Sequence, residues 1–465
     1  EEHPKPDGTK YNIYKDGLRI YTTIDSRMQK HAEEAMTEHL SELQGIFTKE
    51  CKHKQNAPFA HNITKEEIQT IMTQGMKRSA RYRILKKSGM NEKAIIKNFK
   101  TPIAMTIFTW KGEKDTIMSP NDSIKYYKGY LQSGFMSVDP HTGHVKTWVG
   151  GINHKYFKYD HVQIGHARQV GSTFKPFVYA LAIQEGYSPC YRVPNVKVCI
   201  DMPLKDEPTY CPENSDDKLN GKLLTLQQAL ANSVNYVSAY LIKTFGAPAV
   251  VNIARRMGVV SPMDAVPSIC LGTPEISIFE MVGANATFAN KGTWIQPTFV
   301  TRIEDKSGKV LAEFSPRTEE VLNEEKAYIM LQLMKGVVQI GTGVRLRYKY
   351  KLMTSIAGKT GTTQNQSDGW FMGITPDLVS GVWTGAEDRA VHFDNIEMGQ
   401  GANMALPVWA KFMQKVYADK TINISQGDFK HPDKKITIET NCDRYNRELE
   451  QELNGGFNAA INPFD

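Results

Sequence analysis

Three short polar groupings occur in one order along this 465-residue chain: Ser172-Thr-Phe-Lys175, Ser233-Val-Asn235 and Lys359-Thr-Gly361. A serine hydroxyl becomes a nucleophile when a base takes its proton, and a lysine is such a base once it is partly neutral. Together the three describe a serine acylation site, although none does so alone. S-x-x-K recurs at Ser215-Asp-Asp-Lys218, in a polar stretch that reads as a solvated loop. K-[ST]-G recurs at Lys87-Ser88-Gly89 and Lys306-Ser307-Gly308, and S-x-N at Ser119-Pro-Asn121. What separates the chemical set from these copies is the element each member sits on.

Pro176 is tolerated only in the first turn of a helix, so the apolar run after it begins a helix with Ser172 at its N-terminus. There the unpaired N–H groups and the helix dipole favour a developing oxyanion. Lys175, three residues on, shares a face with Ser172. Burial and a second cation both lower a lysine pKa, and Lys359 is the candidate cation. Thr225-Leu-Gln-Gln228 has capping-box form and opens another helix, while Val237, Tyr240 and Leu241 belong to a further one running to Gly246. A break between them lets Ser233 and Asn235 face one cleft, the serine to relay a proton and the asparagine to bind a substrate amide. Gly358-Lys-Thr-Gly-Thr362, Asp368 to Ile374 and Leu378 to Trp383 read as consecutive antiparallel strands. The glycines in these strands predict a close backbone, read here as a peptide adding to the sheet edge. Lys359, Thr360 and Thr362 would then hold a terminal carboxylate.

In this order, on these elements, the set resembles the penicilloyl-serine transferases. Val234 stands where some members carry Asp, which is similar to the wider S-x-N form of penicillin-binding proteins. Gly17-Leu-Arg-Ile-Tyr-Thr-Thr-Ile-Asp25 resembles the segment that follows the glycosyltransferase domain in class A penicillin-binding proteins. Phe135 to Gly143, Val145 to Gly151, Phe288-Ala-Asn-Lys-Gly292 and Gly341-Thr-Gly343 are also similar to that family. The likeness runs from about residue 17 to about 415 and is most specific from 134 to 386.

The resemblance implies an α/β (α+β) fold: an antiparallel five-stranded sheet flanked by helices, an all-helical subdomain and a smaller N-terminal linker domain. Expected boundaries are a connector over 1–25, a helical linker region over 26–130, a transpeptidase domain over 131–420 and a C-terminal extension over 421–465. By the same resemblance, Ser172 attacks the penultimate D-Ala carbonyl of a peptidoglycan stem peptide, with Lys175 as base. Ser233 and Lys359 relay the proton, and Asn235, Thr360, Gly361 and Thr362 bind the donor. The oxyanion lies between the backbone N–H groups of Ser172 and Thr362. Implied partners are stem peptides on lipid-linked nascent glycan strands, and β-lactams. The resemblance calls for no metal and no cofactor. It further implies a fragment of a bifunctional murein synthase, periplasmic and held to the inner membrane by an anchor upstream, along with the glycosyltransferase domain.

Composition sets looser bounds. The formal charge of +7, from 57 basic and 50 acidic residues, is a mild excess that suits an anionic envelope and does not indicate nucleic acid. Six cysteines are too few for a disulfide scaffold; Cys199 and Cys211 bracket a short polar loop and either pair or stay as thiols. No apolar run approaches the ~18 residues of a membrane span. Helices are expected near Arg27 to Leu43 and from Thr64, a hairpin over Thr106 to Thr116, and an extended or disordered Gly/Asn-rich tail from about 420. Rival readings are a β-lactamase, for which Glu280 is the nearest candidate carboxylate, a β-lactam sensor, an inactive scaffold, and a D,D-carboxypeptidase that uses water as acceptor.

Overall fold

The computed structural model describes residues 4–5, 7–202 and 209–459, from 452 on as backbone alone. Its centre is a five-stranded antiparallel sheet in the order Ala357–Thr362, Asp368–Ile374, Val379–Ala386, Leu131–Val138, Val145–Val149. The three middle strands are buried along their whole length, because helices cover both faces. Side chains therefore alternate between two cores with the strand period of two. Trp370 and Met372 join the core built around the helices Lys175–Gln184, Ile278–Ala289 and Glu324–Gln339. Phe371 points into the other, built by Ser26–Cys51 and Leu406–Ala418. The fold class implied by the resemblance is the one observed.

The helix expected near Arg27 to Leu43 runs Ser26–Cys51, capped by Asp25, with Met28, Ala32, Ala35, Leu40, Leu43 and Phe47 as its buried stripe. Thr64 and Glu67 form a reciprocal capping box on Lys65–Arg78. That helix, Ala80–Lys87 and Glu92–Lys100 gather a small core of Met76, Ile95 and Phe99, and the hairpin Ile103–Thr109/Gly112–Met118 follows. An all-helical layer of Leu226–Ala231, Asn235–Phe245 and Ala247–Arg256 packs beside Lys175–Gln184.

The tail departs from expectation. Its backbone is helical over Cys442–Ala459, and Cys442 is disulfide-bonded to Cys190, 252 positions earlier. A covalent anchor at its first residue holds it to the body of the protein. Residues 460–465 of the expected extended tail lie outside the described residues. Cys199 and Cys211 also pair, closing the short hairpin Ile200–Asp201/Thr209–Tyr210, whose interior at 203–208 is likewise outside them. Cys51 and Cys270 remain buried thiols. Among the described residues no single helix is long and apolar enough to cross a membrane.

Candidate active site

Ser172 lies in a single 3-10 turn, Gly171–Phe174, that leads into the α-helix Lys175–Gln184 with Pro176 in its first turn. The sequence placed Ser172 at the N-terminus of this helix, and it lies in the turn that opens it. Gly171, at φ 53°, is pressed against the strand end: a Cβ there would lie 2.8 Å from the Thr362 carbonyl oxygen. The Lys175 N–H donates to the Ser172 carbonyl, and Ser172 Oγ makes no hydrogen bond to any described residue.

Lys175 is wholly buried. Its Nζ donates to the Ser233 carbonyl at 2.5 Å, to Asn235 Oδ1 at 2.7 Å and to Ser233 Oγ at 3.3 Å. Burial pulls this amine down to about 7, within reach of the neutral form. Lys359, equally buried, donates to Ser233 Oγ at 2.9 Å and to the Thr360 carbonyl at 2.9 Å. Burial lowers Lys359 well below the ordinary lysine range, and the charge of Lys175 lowers it further. Burial is the larger cause at both amines. Two amines on one hydroxyl titrate as a pair.

Ser233 occupies the break between Leu226–Ala231 and Asn235–Phe245, in the left-handed region at φ 58°. That conformation turns Ser233 and Asn235 into one wall, as the helix break suggested. A neighbouring loop holds this wall in place. Asn214 Oδ1 accepts the N–H groups of Asn235 at 2.8 Å and Tyr236 at 3.2 Å, so another segment's side chain caps the helix. Asn214 is itself fixed by Asn195 and Asn220. The Glu213 carbonyl accepts from Asn235 Nδ2 at 2.6 Å, and its carboxylate binds the Tyr236 hydroxyl and Lys197. Both ends of the Asn235 amide are therefore engaged. Sequence reading missed Glu213 and Asn214; their only signal was a place just after Cys211.

The third grouping ends the edge strand Ala357–Thr362. Thr360 Oγ1 lies 2.6 Å from Thr342 Oγ1, which brings the Gly341-Thr-Gly343 segment into the site. Thr362 Oγ1 accepts the Gly401 N–H at 3.0 Å, leaving its own O–H free to donate. The backbone that comes close to Gly361 in this structure belongs to the protein itself. A Cβ there would stand 2.8 Å from the Val170 carbonyl and 2.9 Å from Thr173 Cγ2, so its bareness admits the turn that carries Ser172.

Glu280 is unsuited to activating a water. Oε1 accepts from the N–H groups of Val260 and Ser261, while Oε2 accepts from the hydroxyls of Ser261 and Ser277 and the Ser277 N–H. It is a helix cap that pins a loop. Asp368 is a second buried carboxylate with a structural task, accepting from Arg168 Nε at 2.8 Å, Trp383 Nε1 at 2.9 Å and Thr363 Oγ1 at 3.0 Å.

Residues 54–131 match the penicillin-binding protein middle domain, and residues 134–387 the penicillin binding protein transpeptidase domain. Penicillin-binding protein 1A of Aquifex aeolicus is 30% identical over 437 residues, covering 92% of this chain and 57% of its own. Penicillin-binding protein 2D of Bacillus subtilis is 32% identical over 394 residues, 83% of this chain and 52% of its own. The chain thus spans little more than half the length of these curated relatives. In fold it is similar to Penicillin-Binding Protein 1A from Haemophilus influenzae, with a TM-score of 0.64 at 21% identity over 88% of this chain and 68% of that one. It is similar also to PonA1 from Mycobacterium tuberculosis, with a TM-score of 0.61 at 20% identity over 92% and 90%. A single domain match over more than half of the residues, laid on the sheet and helices that carry Ser172, Lys175 and Lys359, shows that the chain belongs to the penicillin-binding protein transpeptidase domain family.

Proposed function

We propose that the chain is a peptidoglycan D,D-transpeptidase that cross-links stem peptides through an acyl-enzyme on Ser172. The observation that carries this is Lys175: a wholly buried amine, drawn down to about 7, one turn from an unpaired serine hydroxyl. Neutral Lys175 takes the Ser172 proton as Oγ attacks the penultimate D-Ala carbonyl. The oxyanion is held by the N–H groups of Ser172 and Thr362. As the C–N bond breaks, the proton passes through Ser233 and Lys359 to the leaving amine, and D-Ala departs. An amine of a neighbouring stem peptide then attacks the ester, forms the new amide and returns the proton to Ser172. Water in place of that amine gives D,D-carboxypeptidase trimming.

Donor binding requires rearrangement at one atom. Asn235 Nδ2 is held by the Glu213 carbonyl, so a donor amide reaches it by taking that carbonyl's place. Asn235 Oδ1 can stay on Lys175 throughout. Thr360 and Thr362 hydroxyls meet the donor carboxylate, with Thr342 orienting the first. An anionic donor also favours the protonated form of Lys359. β-Lactams present the same carbonyl and carboxylate and stall as the ester; a PonA1 structure from Mycobacterium tuberculosis, with a TM-score of 0.54 at 21% identity, is a complex with penicillin V. Two disulfides suit an oxidising, periplasmic location.

The test is incubation with a labelled penicillin, followed by intact mass over hours. A stable adduct on Ser172, absent in Ser172→Ala, is expected. Rapid turnover would instead indicate a β-lactamase, and no adduct would end the assignment. Paired stem peptides as substrates then separate cross-linking from trimming.

A further inference from the structure

The positive charge of this chain is concentrated in one short stretch. Residues 77–100 hold nine lysines and arginines and one acid, while the other 441 residues hold 48 and 49, so the whole formal excess belongs to these 24. They make the end of the helix Lys65–Arg78 and the two short helices Ala80–Lys87 and Glu92–Lys100. Arg81 donates to Asn98 Oδ1 at 3.0 Å, and the Tyr82 hydroxyl to Glu92 Oε2 at 2.9 Å, which ties the two short helices together.

Their inward sides are occupied by the small core of Met76, Ile95 and Phe99, against which Tyr82 and Leu85 pack. Outward, the first helix carries Arg83, Ile84, Lys86 and Lys87, all exposed. The second carries Lys93, Ile96, Lys97 and Lys100, also exposed, at the i, i+3, i+4, i+7 spacing of one helix face. Of these cations only Lys86 has an ion pair among the described residues, with Glu92 at 3.8 Å. Arg83 with Lys87 and Lys93 with Lys97 are like charges at i, i+4, an arrangement that destabilises an isolated helix. An anionic partner would relieve that repulsion.

Two isoleucines narrow what that partner is. Ile84 is 68% and Ile96 39% exposed, each set among the cations. A soluble anion takes the lysines and leaves both isoleucines in water. A lipid surface takes both, with phosphates against the lysines and the apolar side chains below the headgroups, the composition of a helix that lies in a membrane interface. Helices of eight and nine residues are too short to cross a bilayer, which takes about 20, so the contact lies on its surface.

We propose that the helices Ala80–Lys87 and Glu92–Lys100 form a docking surface for a bilayer rich in anionic phospholipid, held by their lysines and seated by Ile84. A folded surface makes this contact, with no spanning segment and apart from the reaction at Ser172. The test is co-sedimentation of the full chain, at about 0.1 M salt, with vesicles of phosphatidylcholine alone and with about 30% phosphatidylglycerol added. Each lysine near an anionic surface contributes about fivefold in binding. Expected are binding at least about tenfold tighter to the anionic vesicles, a loss of about 25-fold in Lys87→Gln/Lys97→Gln, a loss of about fivefold in Ile84→Ser, and release at about 0.5 M salt. All three side chains are exposed, so penicillin acylation of the variants should stay within about twofold and serves as the check that they fold. Equal binding to the two kinds of vesicle, or binding that Lys87→Gln/Lys97→Gln or Ile84→Ser leaves unchanged, would overturn the proposal. So would tighter binding of polyglutamate than of vesicles at equal anion concentration, which would give the surface to an acidic protein segment.

Discussion

With Lys175 as the proposed base of Ser172, its burial should make acylation by a β-lactam strongly pH-dependent in a range where ordinary lysines do nothing. The base must be neutral to take the Ser172 proton, and its pKa is drawn from 10.5 down to about 7. Because the folded value is lowered, the active form accumulates as pH rises through it. The neutral fraction is about 1% at pH 5, about 9% at pH 6, half at pH 7 and about nine-tenths at pH 8. The second-order rate of penicillin adduct formation should therefore climb roughly 90-fold between pH 5 and pH 8 and then level off. Rapid-quench mixing with intact mass readout measures it directly. A profile flat from pH 5 to pH 8, or one whose inflection lies near the ordinary lysine value, would refute a buried neutral base. Lys359→Met separates the two possible causes. Since burial is what lowers Lys175, the inflection should stay within about one unit while the plateau rate falls, because Ser233 loses its second donor. A return of the inflection toward 10 would show that the neighbouring charge had been the cause.

Three further outcomes follow from named contacts. Asn214→Ala removes the cap from two helix N–H groups and should cost about 1 kcal/mol in denaturant midpoint while lowering acylation efficiency by about tenfold; wild-type acylation would remove Asn214 from any positioning role. Asp368→Asn leaves Arg168 without its buried partner and should destabilise by about 3–5 kcal/mol in urea unfolding. Cys442→Ser opens a 252-residue loop and should reduce stability by up to about 5 kcal/mol, with faster amide exchange confined at first to residues near 442–451.

What could be read from the sequence was whatever local chemistry dictates. Pro176 fixed the start of a helix, the capping boxes at Thr64 and Thr225 fixed two more, and the Gly-rich strands announced an antiparallel sheet. The break that brings Ser233 and Asn235 together was legible because two apolar periods fail to join across it. Contacts made only by folding left no trace. Asn214 reaches Asn235 across a loop, Thr342 meets Thr360 from another segment, and Cys190 finds Cys442 across most of the catalytic region. Gly361 shows a subtler limit: glycine signals a close backbone, but that the Ser172 turn is one that comes close is decided by how that turn packs.

The Cys190–Cys442 bond turns the stretch between those residues into a closed covalent circuit. Ser233, Asn235 and Lys359 lie inside this circuit; Ser172 and Lys175 lie on the strand of chain that enters it, just ahead of the closure. A protease that cuts one exposed loop within the ring therefore releases no fragment, since each cut end remains joined through the sulfurs. For a cut inside the ring, parting Ser233 and Lys359 from Ser172 also takes a reductant, so in an oxidising compartment the protein withstands there a nick that would divide an uncrosslinked chain in two.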